Sequence, residues 1–300
     1  MKYLAYLLFI TLSFNIACDQ PTSPSVSKEE KVVYDVVFRE KLAGTYEKWP
    51  TGDDSYEYYY TYADRGRGPE NSEKITLNKK NFITAQSITG VNYRKSPVDE
   101  IFNSSQGNAS WKNTMEENEG AFDGSKLYFR HSGSPAVYEI LAQLLMDAKD
   151  NKVALFPDGR AELTKKIPLK LSDGTALELL MIKGLGMNPS YIWMNGTQMA
   201  ARISGNLHIV KTDLSPLRLE LKKLQDKVED DNLIDIAREV SHDIADALIQ
   251  DVNVFTSQGN LLYNQDVWIR DQKISKINPT NGSKVPDDVK VLNGSGKTLL

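Results

Sequence analysis

Hydrophobic positions along the chain follow two different periods. Val33, Tyr34, Val36, Val37 and Phe38 form one β-rich run, Tyr56, Tyr58, Tyr59, Tyr60 and Tyr62 a second, and residues 82–88 a third. Branched and aromatic residues at this density suit a pleated, half-buried surface. Turn-forming clusters separate the runs at 50–53, 65–69 and 103–107. The tyrosine run reads first as cross-strand packing, with a sugar- or ligand-stacking surface as the other reading of the same residues. Over 135–149 the period changes. Val137, Ile140, Leu141, Leu144, Leu145 and Ala148 recur at threes and fours, one apolar face of a helix, and Ser134 before Pro135 supplies an N-terminal cap. Strands resume at 161–171 and continue at 177–182, 191–194, 199–204 and 207–211, with turns at 157–159 and 172–174.

Residues 32–212 therefore read as a β-rich accessory domain, antiparallel with one packed helix. A helical connector is expected over 213–245. Its first helix opens at Ser215-Pro216, its second near Asn232, and Glu229-Asp230-Asp231 divides them. Short strands return over 246–300, with a tight hairpin at Arg270-Asp271-Gln272-Lys273. The expected fold class is α+β, rich in β.

The first residues behave differently. Residues 3–16 are nearly all apolar, with Lys2 in front and Ala17-Cys18 behind. The run is too short to span a bilayer, which takes about 20 residues. It reads as a signal peptide over 1–17. Ile16-Ala17-Cys18 resembles a bacterial lipobox, although Asn15 stands where a leucine is usual. That resemblance makes Cys18 the lipid attachment site and the membrane a partner. Residues 18–31 become a lipid-anchored flexible tether, since 19–31 hold Val26 as their one apolar residue. The expected location is the bacterial cell envelope.

Composition narrows the chemistry. With 36 Lys+Arg against 40 Asp+Glu, the net charge of −4 offers no general attraction to nucleic acid, and no nucleic-acid partner is expected. One cysteine excludes an intramolecular disulfide framework and any multi-cysteine metal site. The histidines, His131, His208 and His242, do not pair at metal-ligand spacing. Gly294-Ser295-Gly296-Lys297-Thr298 looks like the end of a P-loop, but Val291 occupies the place of the first glycine. Gly184-Leu185-Gly186 lacks the third glycine of a dinucleotide fingerprint and reads as a turn. No nucleophile, base and orienting group come together, so no catalytic, cofactor-binding or metal residue is assigned within 1–300.

A resemblance adds a different expectation. Residues 247–255 (ALIQDVNVF), 266–277 (DVWIRDQKISKI) and 293–300 (NGSGKTLL) resemble the opening strands of the metal-dependent amidohydrolase superfamily, of the imidazolonepropionase-like kind. Residues 184–194 (GLGMNPSYIWM) resemble a segment of its longer, exported members. The resemblance implies that 246–300 is part of the composite β-sandwich of those enzymes. The barrel, about 250 residues in such enzymes, and its His-x-His pair would lie beyond Leu300. It implies a hydrolase of non-peptide carbon–nitrogen bonds, with a divalent metal, expected to be zinc, and a small-molecule substrate only in the full-length form. Gln272 departs from the family's glycine in the hairpin. The alternative is a non-enzymatic β-rich surface lipoprotein acting as a binding or carrier module through its tyrosine-rich strands.

Overall fold

The computed structural model describes residues 31–129, 133–241, 244, 246–282 and 284–300. The signal peptide, Cys18 and all of the tether except Lys31 lie outside the described residues, as do His131 and His242.

In chain order the first unit contains β1 (Val32–Phe38), β2 (Lys41–Gly52), β3 (Ser55–Tyr62), β4 (Glu70–Leu77), β5 (Ile83–Val91), β6 (Pro97–Ser105), β7 (Asn108–Lys112), β8 (Glu117–Ala121) and β9 (Leu127–Tyr128). Helix α1 (Ala136–Asp147) follows. Then come β10 (Lys152–Phe156), β11 (Arg160–Lys170), β12 (Ala176–Lys183), β13 (Ser190–Asn195), β14 (Gln198–Ser204) and β15 (Leu207–Lys211). All fifteen strands join one sheet, ordered β8-β7-β6-β5-β4-β3-β2-β1-β15-β14-β13-β12-β11-β10-β9. Two meanders are fused where β1 pairs with both β2 and β15, and every pairing is antiparallel except β9 with β10.

The sheet curls around α1. Ile140, Leu141, Leu144 and Leu145 of the helix share one buried cluster with Tyr34, Ile75 and Phe102 from one meander and Leu180, Ile192 and Ile209 from the other. Burial of each such aliphatic side chain stabilises the fold by roughly 1.5–3 kcal/mol relative to exposure. Ser134 accepts the Ala136 N–H at 3.2 Å, one position further out than the helix cap, Pro135. The two ends of the sheet meet through rings. Phe102 of β6 stacks on Tyr128 of β9 at 4.1 Å, and Phe156 of β10 packs edge-on against Trp111 of β7 at 5.2 Å and Phe122 at 5.0 Å. The result is barrel-like, closed by side chains where a full barrel closes by backbone ladders.

The outer face of β12–β15 is covered by the start of helix α2 (Arg218–Val240), which follows a 3-10 turn over Thr212–Leu217. Trp193 donates its indole N–H to Gln225 at 3.0 Å, and Gln225 donates to the Ile203 carbonyl at 3.0 Å. This explains why Leu179, Leu180, Met181 and Ile182 are all buried, where a sheet open on one face would alternate.

The second unit runs from Lys227 to Leu300, so the division falls inside α2. It contains β16 (Ala247–Phe255), β17 (Leu261–Arg270), β18 (Lys273–Pro279), β19 (Lys290–Asn293) and β20 (Thr298–Leu299). Their order is β18-β17-β16-β19, with β20 also on β16. Val252, Val254 and Val267 form a buried apolar cluster in this sheet, and Ala247, Leu248 and Val289 are buried as well.

Several expectations are corrected. The class is mostly β, not α+β, because the shared ladder at β1 merges the strands of 32–211 into one continuous sheet that encloses its helix. The two connector helices are one: nothing between Arg218 and Val240 is Gly or Pro, and Glu229-Asp230-Asp231 lies within an unbroken helix. The partial amidohydrolase composite sandwich over 246–300 is instead a single five-stranded sheet. Within it, residues 261–270 form one ten-residue strand, β17, longer than the short strands expected there. Asp271 and Gln272 both take positive φ, 48° and 61°, so the β17–β18 hairpin keeps a left-handed two-residue turn without glycine.

Candidate binding site

The inward positions of β3 to β6 place polar groups in the interior beside aromatic ones. Tyr58 and Tyr60 of β3, Asn71 and Glu73 of β4, Gln86 of β5 and Glu100 of β6 are all buried. Buried carboxylates require partners, and each has them. Glu73 accepts from the Gln86 side-chain amide and from the Ser134 backbone N–H, the latter at 2.7 Å. Burial, reinforced by the charge of Glu100, pushes the Glu73 carboxyl up to about 7 against the lowering effect of those hydrogen bonds. Gly133 makes the approach possible: at φ +98°, a Cβ there would lie 2.9 Å from Ile88 Cδ1 and 3.1 Å from Glu73 Oε2. Glu100 accepts from the Tyr128 hydroxyl at 2.8 Å. Glu139 of α1 accepts from Lys48 at 3.2 Å and from the Met199 N–H at 3.1 Å. Beside this network, the wholly buried Tyr46 hydroxyl has no hydrogen-bond partner among the described residues.

Next to this polar interior lies a cavity of about 460 Å³ whose walls include Tyr60, Tyr62, Tyr93, Asn71, Glu100 and Met115. Its ring wall is continuous, with centroids 5.8 Å apart between Tyr60 and Tyr62 and 6.2 Å between Tyr62 and Tyr93. The 63–69 loop fixes one side. Tyr93 donates to Asp64 at 2.5 Å, and Arg65 Nε lies 3.2 Å from the same carboxylate. The Tyr93 hydroxyl and then Arg65 hold Asp64 below the usual carboxylate range. Gly68, at φ +128°, is required here, since a Cβ would fall 1.8 Å from the Tyr62 carbonyl oxygen.

Volume and lining suit a small ligand with a ring face: pockets of about 300–1,000 Å³ with aromatic walls and a few fixed polar groups are typical of such sites. The lining contains no Ser, His or Cys among the described residues. His208, on β15, contacts Arg218 at 2.7 Å through Nδ1 and the Gly205 carbonyl at 3.2 Å through Nε2. Burial lowers its pKa, with a further lowering from Arg218. It belongs to the packing beneath α2. Among the described residues, no group of His, Cys, Asp or Glu is placed to hold a metal ion, and no helix is long and apolar enough to cross a membrane.

The tyrosine run identified in the sequence splits in two. Tyr58 and Tyr60 are core residues and Tyr62 walls the cavity, while Tyr59 faces outward. Asn71, Glu73 and Glu100 carried no signal, because isolated polar residues on a strand look like its solvent face. A polar residue at every second position of 71–73, in phase with Ile75, was the available clue. The glycine motifs are structural. A Cβ at Gly294 would lie 2.6 Å from Val252 Cβ and 2.9 Å from the Gln250 carbonyl oxygen, so this glycine lets the chain cross close over β16. A Cβ at Gly184 would meet the Arg160 carbonyl oxygen at 2.0 Å.

No family model matches the chain, and no curated protein matches it. Among solved structures, it is similar to a β-barrel-like protein of a domain of unknown function, DUF1849, from Brucella abortus. That likeness covers 60% of this chain and 93% of the other, at 10% identity and a TM-score of 0.37. The amidohydrolase assignment is corrected: no family model is matched, and the residues read as its composite sandwich form one five-stranded sheet. The hydrolase reading of the chain falls with it. Of the segments that carried the resemblance, those in 247–300 are accounted for by a small set of strands, its left-handed hairpin turn and the close crossing at Gly294, while 184–194 is the β12–β13 turn and most of β13 in the large sheet. No finding supports the signal peptide or the lipoprotein assignment, whose residues lie outside those described.

Proposed function

We propose that this chain is a non-enzymatic binding module that takes a small, ring-bearing molecule into the cavity beside β3 to β6. The observation that carries the reading is the continuous tyrosine wall of Tyr60, Tyr62 and Tyr93 facing a lining that includes the buried Glu100 and Asn71. Ring faces attract planar or apolar surface. The acceptor-rich remainder favours a ligand that also carries hydrogen-bond donors.

Ligand-observed NMR with a library of small ring-bearing amines and alcohols tests it. At least one compound is expected to bind the wild type, and Tyr62→Ala and Tyr93→Ala should weaken that binding at least tenfold while leaving the circular dichroism unchanged. Binding unaffected by both substitutions, no binder at all, or chemical turnover of a bound compound would contradict the proposal.

A further inference from the structure

A second surface lies on the opposite side of the same strands. Where β2 to β5 turn Tyr46, Tyr58, Glu73 and Gln86 inward, the alternate positions point out. Cross-strand register aligns them in two rows. Glu47, Tyr59, Ser72 and Thr89 are successive partners across the four strands, and so are Trp49, Glu57, Lys74 and Ser87. Trp49 and Tyr59 thus stand on β2 and β3, and Ser72, Ser87 and Thr89 on β4 and β5, with Lys74 between the two serines. They line a hollow of about 400 Å³, with Trp49 and Tyr59 together with Ser72, Ser87 and Thr89 among its walls. Across four strands, at about 4.8 Å per gap, the platform is roughly 14 Å wide.

The charges within the two rows are paired, and Glu70 beside them accepts from the Tyr59 hydroxyl at 3.1 Å. Glu57 pairs with Lys74 at 3.6 Å, and Glu47 with Lys31 at 2.5 Å. A polyanion therefore finds no net attraction, and an apolar peptide finds a hydroxyl-lined floor. Trp49 and Tyr59 are half-buried and keep ring surface open to the hollow; the Lys31 ammonium already lies 4.7 Å from the Trp49 centroid. Ring faces beside hydroxyls and neutralised carboxylates match one ligand chemistry best, a neutral polyol with an apolar ring face. The open, multi-strand width favours a chain over a single unit. We infer that the outer face of β2 to β5 binds a neutral saccharide chain, stacked on Trp49 and Tyr59 and hydrogen-bonded by Ser72, Ser87 and Thr89.

Affinity gel electrophoresis of the whole chain through soluble neutral glucans, xylans, mannans and chitin oligomers tests this, with dextran sulfate as the charged comparison. At least one neutral glycan should retard the wild type. Trp49→Ala and Tyr59→Ala should each weaken that retardation at least tenfold, Trp49→Phe should retain part of it, and Tyr62→Ala, in the cavity on the inner side, should leave it intact. Matching thermal unfolding of the variants confirms that they fold. Retardation by dextran sulfate alone, by no neutral glycan, or undiminished from wild type in Trp49→Ala and Tyr59→Ala would overturn the inference. Loss with Tyr62→Ala alone would also overturn it, and would assign the glycan to the inner cavity.

Discussion

The sheet of β1–β15 and the sheet of β16–β20 use the same strand chemistry and reach different ends. In the first, a helix lies against the inner face, and Tyr34, Tyr46, Phe102, Leu141 and Leu145 are all fully buried. In the second, the buried apolar side chains are few and small, Val252, Val254 and Val267 in one cluster with Ala247, Leu248 and Val289 besides, while Tyr263, Ile274 and Ile277 stay exposed. Strand formation alone does not make a core. Curvature does: once a sheet curls far enough for its ends to touch, every inward position faces another, and rings can close the seam where backbone ladders do not. The same enclosure creates the cavity, since only an enclosed interior offers walls on several sides.

Truncations in the two sheets sharpen the contrast. Phe102→Ala removes the ring that stacks on Tyr128 and contacts Phe122 and Phe156, and should cost about 3–5 kcal/mol. Val267→Ala, at the centre of the valine cluster, removes two methyl groups and should cost about 1.5 kcal/mol. Hydrogen exchange under increasing urea reads each sheet separately. Equal losses would mean that the small sheet has a core as consequential as the large one.

A smaller effect comes from pH and is confined to the enclosed sheet. The Glu73 carboxyl is raised in the folded chain to about 7 from an ordinary 4.5. Below pH 4.5 it is protonated in both states, and its contribution to stability is fully present. As pH climbs from 4.5 to 7 the unfolded chain gives up its proton first, so stability falls, by about 3 kcal/mol in all, and levels off above pH 7. Urea midpoints of wild type against Glu73→Gln, which stays neutral, should diverge across that window and run parallel above it. Parallel curves from pH 4 to 8 would show that folding leaves the Glu73 pKa at its unfolded value.

Much of the strand pattern was legible in the sequence because hydrophobic alternation reported it, as in Tyr56–Tyr62 and 207–211. The helix was legible for the same reason, its face being apolar at threes and fours. β4 and β6 were hidden, since Asn71, Glu73 and Glu100 put polar groups on the inward face. Their partners, Gln86, Tyr128 and Ser134, come from 13 to 61 residues away. The break expected at Glu229-Asp230-Asp231 did not occur, because an acidic run breaks no helix when no Gly or Pro accompanies it. Nor could strand patterns show that 32–211 closes on itself. That closure rests on Phe122 meeting Phe156, two residues with nothing local to connect them. The same limit explains how short strand-hairpin segments came to resemble an enzyme: a hairpin and a glycine crossing are what any small meander requires.

Both proposed surfaces depend on the curl, because it turns one face of β2 to β5 into an interior and leaves the other outside. Ring-to-ring NOEs in a sample with protonated phenylalanine in a deuterated background test it most directly. With centroids 5.0 Å apart, Phe122 and Phe156 should show a strong cross-peak, accompanied by one between Phe102 and Phe156 at 6.0 Å. Absence of both, in a chain whose strand NOEs are otherwise intact, would contradict the account by showing an open sheet.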